Sequence, residues 1–254
     1  MVSDPSIFVF VAAVQYFVAL EIFDCDVWTC VVFKVLPIFI CAALCRREPL
    51  LGVGLLLSAG GDVAMELSEN NKPMFLGGVA AFLSAHVVYI VALIGMMRRS
   101  RASSETPTDR GTPMLNLAGV FAFTSLIVVM SSVLLGEGSK LPKDDTVLRG
   151  AIVLYACVIA AFGFAAFRRA VELGCFRKMG VVDGTLRYVA GFHVFTAEQA
   201  SGYATFVGAV LFICSDTLLA LNRFHTTIPN GKRWVMVTYY TAQMMVALST
   251  LREK

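Results

Sequence analysis

Asp62 and Asp216 each interrupt an apolar run of membrane-spanning length, and they do so in the same local frame. Asp62 ends Gly54-Leu55-Leu56-Leu57-Ser58-Ala59-Gly60-Gly61-Asp62, and Asp216 ends Gly208-Ala209-Val210-Leu211-Phe212-Ile213-Cys214-Ser215-Asp216. Each has a Gly eight residues before it, a Leu five before, a small residue immediately before and a Leu five after. An ionisable group in hydrocarbon is costly and marks a functional site by default. Two in matched frames point to a pair of carboxyls acting together.

Other polar residues share the apolar runs. Lys34, in Phe33-Lys34-Val35-Leu36-Pro37, reads either as a cation snorkelling to the interface or as a counter-charge to an aspartate or a phosphate. His86 and Tyr89 lie one helical turn apart on one face. His86 reads as a satisfied core histidine or as a partner of an aspartate or the substrate. Tyr155, Tyr239 and Tyr240 are either belt aromatics or site residues. Asn222-Arg223 closes its run as an interface anchor or as a phosphate reader.

The elements that must position these residues follow from composition. The chain is 57% hydrophobic and 15% charged, with a mean hydropathy of +0.74, whereas a soluble domain carries about 25% charged residues. The fold class expected is all-α, a polytopic membrane helix bundle forming one transmembrane domain over 1–254. Eight spans are expected at about 7–23, 28–45, 50–67, 74–97, 113–135, 147–171, 203–221 and 233–251, of the length that crosses a bilayer as helix. The stretch 174–202, with Arg177, Lys178, Asp183, Arg187, His193 and Glu198, reads as an interfacial or cytosolic insertion. The run Ile7–Leu20 has no basic residue before it, the first being Lys34, so it reads as a retained helix and not a signal peptide.

With eight spans, thirteen Lys and Arg residues fall on one side and seven on the other, which puts both termini in the cytosol. The net charge of +3 gives no reason to expect nucleic acid. Cysteines 25, 30, 41, 45, 157, 175 and 214 show no metal-ligand spacing and read as small hydrophobes, so neither a metal nor a disulfide framework is expected.

The match around the aspartates extends further. Ser84-Ala85-His86 recurs as Thr241-Ala242-Gln243, each following its aspartate by one loop and at a similar separation. The helix pairs 50–67/74–97 and 203–221/233–251 thus look like a parallel internal repeat. At about 1.5 Å rise per residue, both aspartates lie roughly 7–8 Å inside the non-cytosolic end, in a layer with Lys34 and Tyr239. By the same count Tyr155 lies about 12 Å deep and His86 about 18 Å deep.

There is no G-x-S-x-G elbow, H-E-x-x-H or P-loop. The motifs present are Gly54–Leu67 with its Gly-Asp, Phe82-x3-His86-x2-Tyr89, the block Gly208–Phe224 and Tyr239-Tyr240-Thr241-Ala242-Gln243. In this order the chain resembles the lysoplasmalogenase or YhhN family of multi-span membrane proteins. It departs in having Val35 where the family has Pro after the lysine, and in the length of 174–202.

The resemblance implies an eight-helix bundle that hydrolyses the vinyl ether bond of lysoplasmalogens (ethanolamine or choline lysophospholipids). The products are a fatty aldehyde and a glycerophosphodiester. The catalytic residues it implies are Asp62 and Asp216, with no metal or cofactor. Such a reaction needs one acid to protonate the vinyl β-carbon and one carboxylate to stabilise the resulting cation and activate water, as in glycosidases. Asp216 is the expected acid and Asp62 the expected base. Lys34, His86, Tyr89, Tyr155, Asn222, Arg223, Tyr239, Tyr240 and Gln243 are the expected substrate-binding residues. The partners are then the lysophospholipid and the surrounding lipids, with homo-oligomers compatible, in the endoplasmic reticulum if the source is eukaryotic. A proton-coupled transporter or a non-catalytic lipid-binding bundle are the alternatives.

Overall fold

A computed structural model describes residues 27–68, 71–103, 113–176 and 197–250. The expected span 7–23 and the middle of the expected insertion, 177–196, lie outside the described residues. Within them the chain is helical: α1 Val27–Leu44, α2 Pro49–Glu66, α3 Lys72–Ser103, α4 Pro113–Leu135, α5 Thr146–Glu172, α6 Ala197–Phe224 and α7 Gly231–Leu248. Six of these are long and apolar enough to cross a membrane. α7 matches α1 and α2 in length, but Lys232 and Arg233 open it. Helices satisfy their own backbone groups, which a bilayer core requires.

Helix ends carry recognisable signals. Pro49 begins α2 where its missing N–H costs nothing. Asp145 caps α5, its Oδ1 accepting from the Leu148 N–H at 3.1 Å. α7 starts after Asn230, which adopts the left-handed conformation at φ 55°.

α2 packs on α3, α6 on α7, and α1 lies against α2 and α7. α4 is the peripheral helix, with Leu117 and Phe121 about 70% exposed, an apolar surface that suits lipid. Close approach within the two main hairpins depends on a glycine in each. A Cβ on Gly54 would sit 2.3 Å from the Tyr89 ring of α3, and one on Gly208 would sit 3.1 Å from the Ala242 carbonyl of α7. These two glycines occupy equivalent positions before Asp62 and Asp216.

Three boundaries differ from the sequence reading. α6 starts at Ala197 and ends at Phe224, six residues before and three after the expected limits. Asp216 is therefore eight residues from its helix end, or about 12 Å, against four residues for Asp62. Residues 197–202 are helix because Ser201 and Thr205 accept from the buried Arg169 guanidinium at 2.9 Å each. α3 continues to Ser103, where Arg99 meets Glu48 and Arg101 meets Glu172. Cys30 is disulfide-bonded, contrary to the expectation that all seven cysteines are free. Cys41, Cys45, Cys157, Cys175 and Cys214 are free.

Candidate functional site

At the bundle end opposite Arg99 and Arg101, the end of α2, the end of α6 and the start of α7 surround a cavity of about 330 Å³. α1 contributes from its N-terminal half. Asp62 and Asp216 both line this cavity, with Lys34, Glu66, Arg223 and Lys232.

Each carboxyl has its own partners. Asp62, 4% exposed, accepts from the Tyr239 hydroxyl at 2.6 Å and faces the Lys34 ammonium at 3.7 Å. Lys34 does not snorkel: it is 7% exposed and also donates to Glu66 at 3.0 Å. Asp216 accepts from the Tyr155 hydroxyl at 2.5 Å, and among the described residues no cation lies within ion-pair distance of it. One carboxyl is thus matched by a full charge, the other by a neutral hydroxyl.

A second, largely apolar pocket of about 90 Å³ shares Met65, Phe82, Asp216, Leu219 and Arg223 with the first as lining. It lies between α3, α4, α5 and α6, and Tyr155 is in its wall. Asp216 therefore stands on the boundary between a charged chamber and an apolar one.

The remaining predicted residues divide into wall and support. Asn222, Arg223 and Tyr239 line the charged cavity. The Arg223 guanidinium also stacks 4.1 Å over the Phe75 ring, a cation–π contact. Asn222 anchors the turn into α7, its Oδ1 accepting from the Ile228 N–H at 2.9 Å. His86, Tyr89, Tyr240 and Gln243 line neither chamber. Tyr240 donates to the Lys34 carbonyl at 3.0 Å, joining α7 to the turn of α1 that carries the lysine. Tyr89 donates to Gln243 at 3.0 Å. His86 Nδ1 donates to the Phe82 carbonyl at 2.7 Å, since a carbonyl can only accept. Its ring stands edge-on to Tyr155 at 5.7 Å and Phe212 at 4.9 Å. These four form a buried layer beneath the site.

Sequence reasoning missed Glu66 and counted Lys232 only as a loop charge. Glu66 bridges two lysines, accepting from Lys34 and, at 3.2 Å, from Lys232. Its spacing of four residues from Asp62 is the signal that was available, because it sets both carboxyls on one helix face. Among the described residues no cluster of three or more His, Cys, Asp or Glu side chains is arranged to hold a metal ion.

Fold and site together define a polytopic helical membrane protein with two carboxyls on one charged cavity beside an apolar pocket. The YhhN family model matches residues 27–250, and the chain belongs to that family. It is 28% identical over 195 residues to "Lysoplasmalogenase TMEM86B" of Sus scrofa, covering 77% of this chain and 60% of that protein. It is 28% identical over 258 residues to "Lysoplasmalogenase TMEM86A" of Bos taurus, covering 96% and 88%. A human relative, "Lysoplasmalogenase TMEM86A", matches at 34% over 103 residues, 40% of each chain. The match thus spans 60% of the pig relative's length and 40% of the human one's. No solved structure matches the chain.

Proposed function

We propose that the protein is a hydrolase of the vinyl ether bond of lysoplasmalogens, with Asp216 as general acid and Asp62 as the anionic partner. The observation that carries this is the unlike pairing of two carboxyls on one cavity. Vinyl ether hydrolysis calls for a proton donor and a group that stabilises the cation and activates water, and two carboxyls in different protonation states divide those roles. Asp62, opposite Lys34 at 3.7 Å, suits the anionic role. Asp216, whose Oδ2 accepts from Tyr155, keeps Oδ1 for a transferable proton.

Asp216 gives its proton to the vinyl β-carbon, and the ether oxygen shares the positive charge of the oxocarbenium ion. Asp62 faces that charge, orients a water and takes its proton as the C–O bond forms. The hemiacetal then collapses. The glycerol oxygen leaves with the proton held by Asp62, and the remaining hydroxyl returns one to Asp216 as the aldehyde carbonyl forms. One water is consumed and both carboxyls are restored.

The two chambers suit the two ends of such a substrate. The apolar pocket takes the first carbons of the chain, which continues between helices into lipid. Lys34, Lys232 and Arg223 suit the phosphate. Tyr239 positions Asp62, Tyr155 positions Asp216, and Tyr240 positions Lys34. His86, Tyr89 and Gln243 support these residues from beneath. We further infer one domain of eight spans over 1–254, including 7–23. In this reading the termini are cytosolic and the hairpins α2–α3 and α6–α7 are a parallel repeat.

The test is aldehyde release from lysoplasmalogen by the detergent-purified protein and its Asp62→Asn and Asp216→Asn variants. Each variant should lose at least about a hundredfold in rate, the scale of one general acid or base. Full activity in either folded variant would sink the mechanism. Turnover in detergent without a gradient also separates a hydrolase from a carrier.

A further inference from the structure

We propose that Glu66 sets the headgroup charge the site accepts, selecting phosphodiester over phosphomonoester lysolipids. The inference rests on the hydrolase reading and adds to it the residue that discriminates substrates. Six charged side chains line the cavity: Lys34, Lys232, Arg223, Asp62, Glu66 and Asp216. With Asp216 holding the proton that the acid role requires, three cations face two anions. One positive charge is left in excess.

The phosphate of a phosphodiester head brings one negative charge to the chamber and balances it, while the ethanolamine or choline ammonium, beyond the phosphate, leaves the head as a whole neutral. A phosphomonoester brings about −1.5 to −2 at neutral pH and leaves it overcharged. Glu66 decides this balance because it bonds to two of the three cations, Lys34 at 3.0 Å and Lys232 at 3.2 Å. It joins their ammonium groups while cancelling one of them. Lys34 and Asp62 are nearly closed to water, so their charges are weakly screened. The Lys232 side chain is about half exposed, which leaves it free to meet an incoming headgroup.

Glu66→Gln keeps the shape of the side chain and raises the excess to two positive charges. The experiment compares kcat/KM for a 1-alkenyl lysophosphoethanolamine with that for the matching 1-alkenyl-glycerol 3-phosphate. The wild type should favour the diester. Glu66→Gln should raise the monoester-to-diester ratio by about tenfold or more, the scale of one unit charge at a partly buried contact. Adding Lys232→Gln to Glu66→Gln restores the charge count and should return the ratio to within about threefold of the wild type, on the same scale. A ratio unmoved by Glu66→Gln in folded protein overturns the proposal, as does a double variant that keeps the altered ratio.

Calorimetric titration with glycerol 3-phosphate and glycerophosphoethanolamine separates this inference from the hydrolase reading. If no variant or wild type releases aldehyde, but Glu66→Gln still shifts binding toward the monoester, the reaction is wrong and the charge selection stands. If aldehyde is released and neither the kinetic nor the binding ratio moves, the reaction stands and the role of Glu66 falls.

Discussion

The assignment of acid and base makes a prediction about two tyrosines that distance alone does not. Tyr239 donates to Asp62 at 2.6 Å and Tyr155 to Asp216 at 2.5 Å, so the two bonds look equivalent. Their energies differ if the acceptors differ. A hydrogen bond to a charged group contributes about 1.5–3 kcal/mol, against about 0.5–1.5 kcal/mol for a neutral one. At about 1.36 kcal/mol per tenfold, Tyr239→Phe should lower kcat/KM by about 10–150-fold and Tyr155→Phe by about 2–12-fold.

Phenylalanine retains the ring contacts, including those of Tyr239 with Phe212 at 5.5 Å and Phe82 at 6.2 Å, so packing changes little. The assay is the initial rate of aldehyde release in detergent micelles over a range of lysoplasmalogen concentrations. Melting curves should confirm that both variants are folded. A larger loss for Tyr155→Phe would exchange the roles of the two aspartates. Losses under about twofold for both would remove the tyrosines from the mechanism on this scale.

Gly54→Ala places a Cβ 2.3 Å from the Tyr89 ring; overpacking of this kind costs about 1–3 kcal/mol, so its melting temperature should fall. Gly60→Ala, with nothing within 4 Å, should leave it unchanged or raise it. Ala156→Trp fills the apolar pocket that Ala156 lines, and should raise KM for long-chain substrates more than for short-chain ones. Asp145 is held below its ordinary range by the Lys72 hydrogen bond and by the Leu148 N–H. Its folded value is depressed, so its contribution to stability is present above the unfolded pKa of about 3.9. That contribution is lost as pH falls through the lower folded value, and Asp145→Asn should flatten this acid limb of melting temperature against pH.

The aspartates were legible because a bilayer makes an ionisable residue conspicuous, and the shared frame around them required only the letters of the chain. Seven of the expected helices were legible for the same reason, from apolar runs bounded by charge. What escaped depended on tertiary partners. Glu66 ends α2 and reads as a boundary residue until Lys34 and Lys232 meet it from α1 and α7. Residues 197–202 read as the end of an interfacial or cytosolic insertion because 174–202 mixes charges such as Glu198 with aromatics. Their helix is fixed by Arg169, which the sequence places in the last turn of the span 147–171 and counts only as a cytosolic-side charge. Asn222 reads as an interface anchor or a phosphate reader, and the structure adds a role the letters do not show, its Oδ1 accepting from the Ile228 N–H in the turn into α7. The level of Asp216 shifted with the helix end, since counting inward from a misplaced terminus carries the whole error to the site.

The equivalence and the asymmetry of the two aspartates have separate physical origins. Gly54 and Gly208 let each following helix approach closely, and so bring Asp62 and Asp216 to one cavity in like fashion. Two copies of one hairpin would by themselves give two carboxyls with like surroundings, and like carboxyls cannot divide acid from base. The difference comes from outside the hairpins: α1 carries Lys34 to Asp62, and α5 carries Tyr155 to Asp216. Tyr239 of α7 adds a hydroxyl to Asp62, whereas the hydroxyl on Asp216 comes from α5. Moving the cation alone, with Lys34→Met to remove it and Leu219→Lys to place one beside Asp216 in the cavity wall, leaves both tyrosines in place and should therefore abolish turnover. Restored aldehyde release in that double variant, with Tyr155→Phe now the costlier tyrosine change, would show that the cation alone sets which aspartate carries the proton.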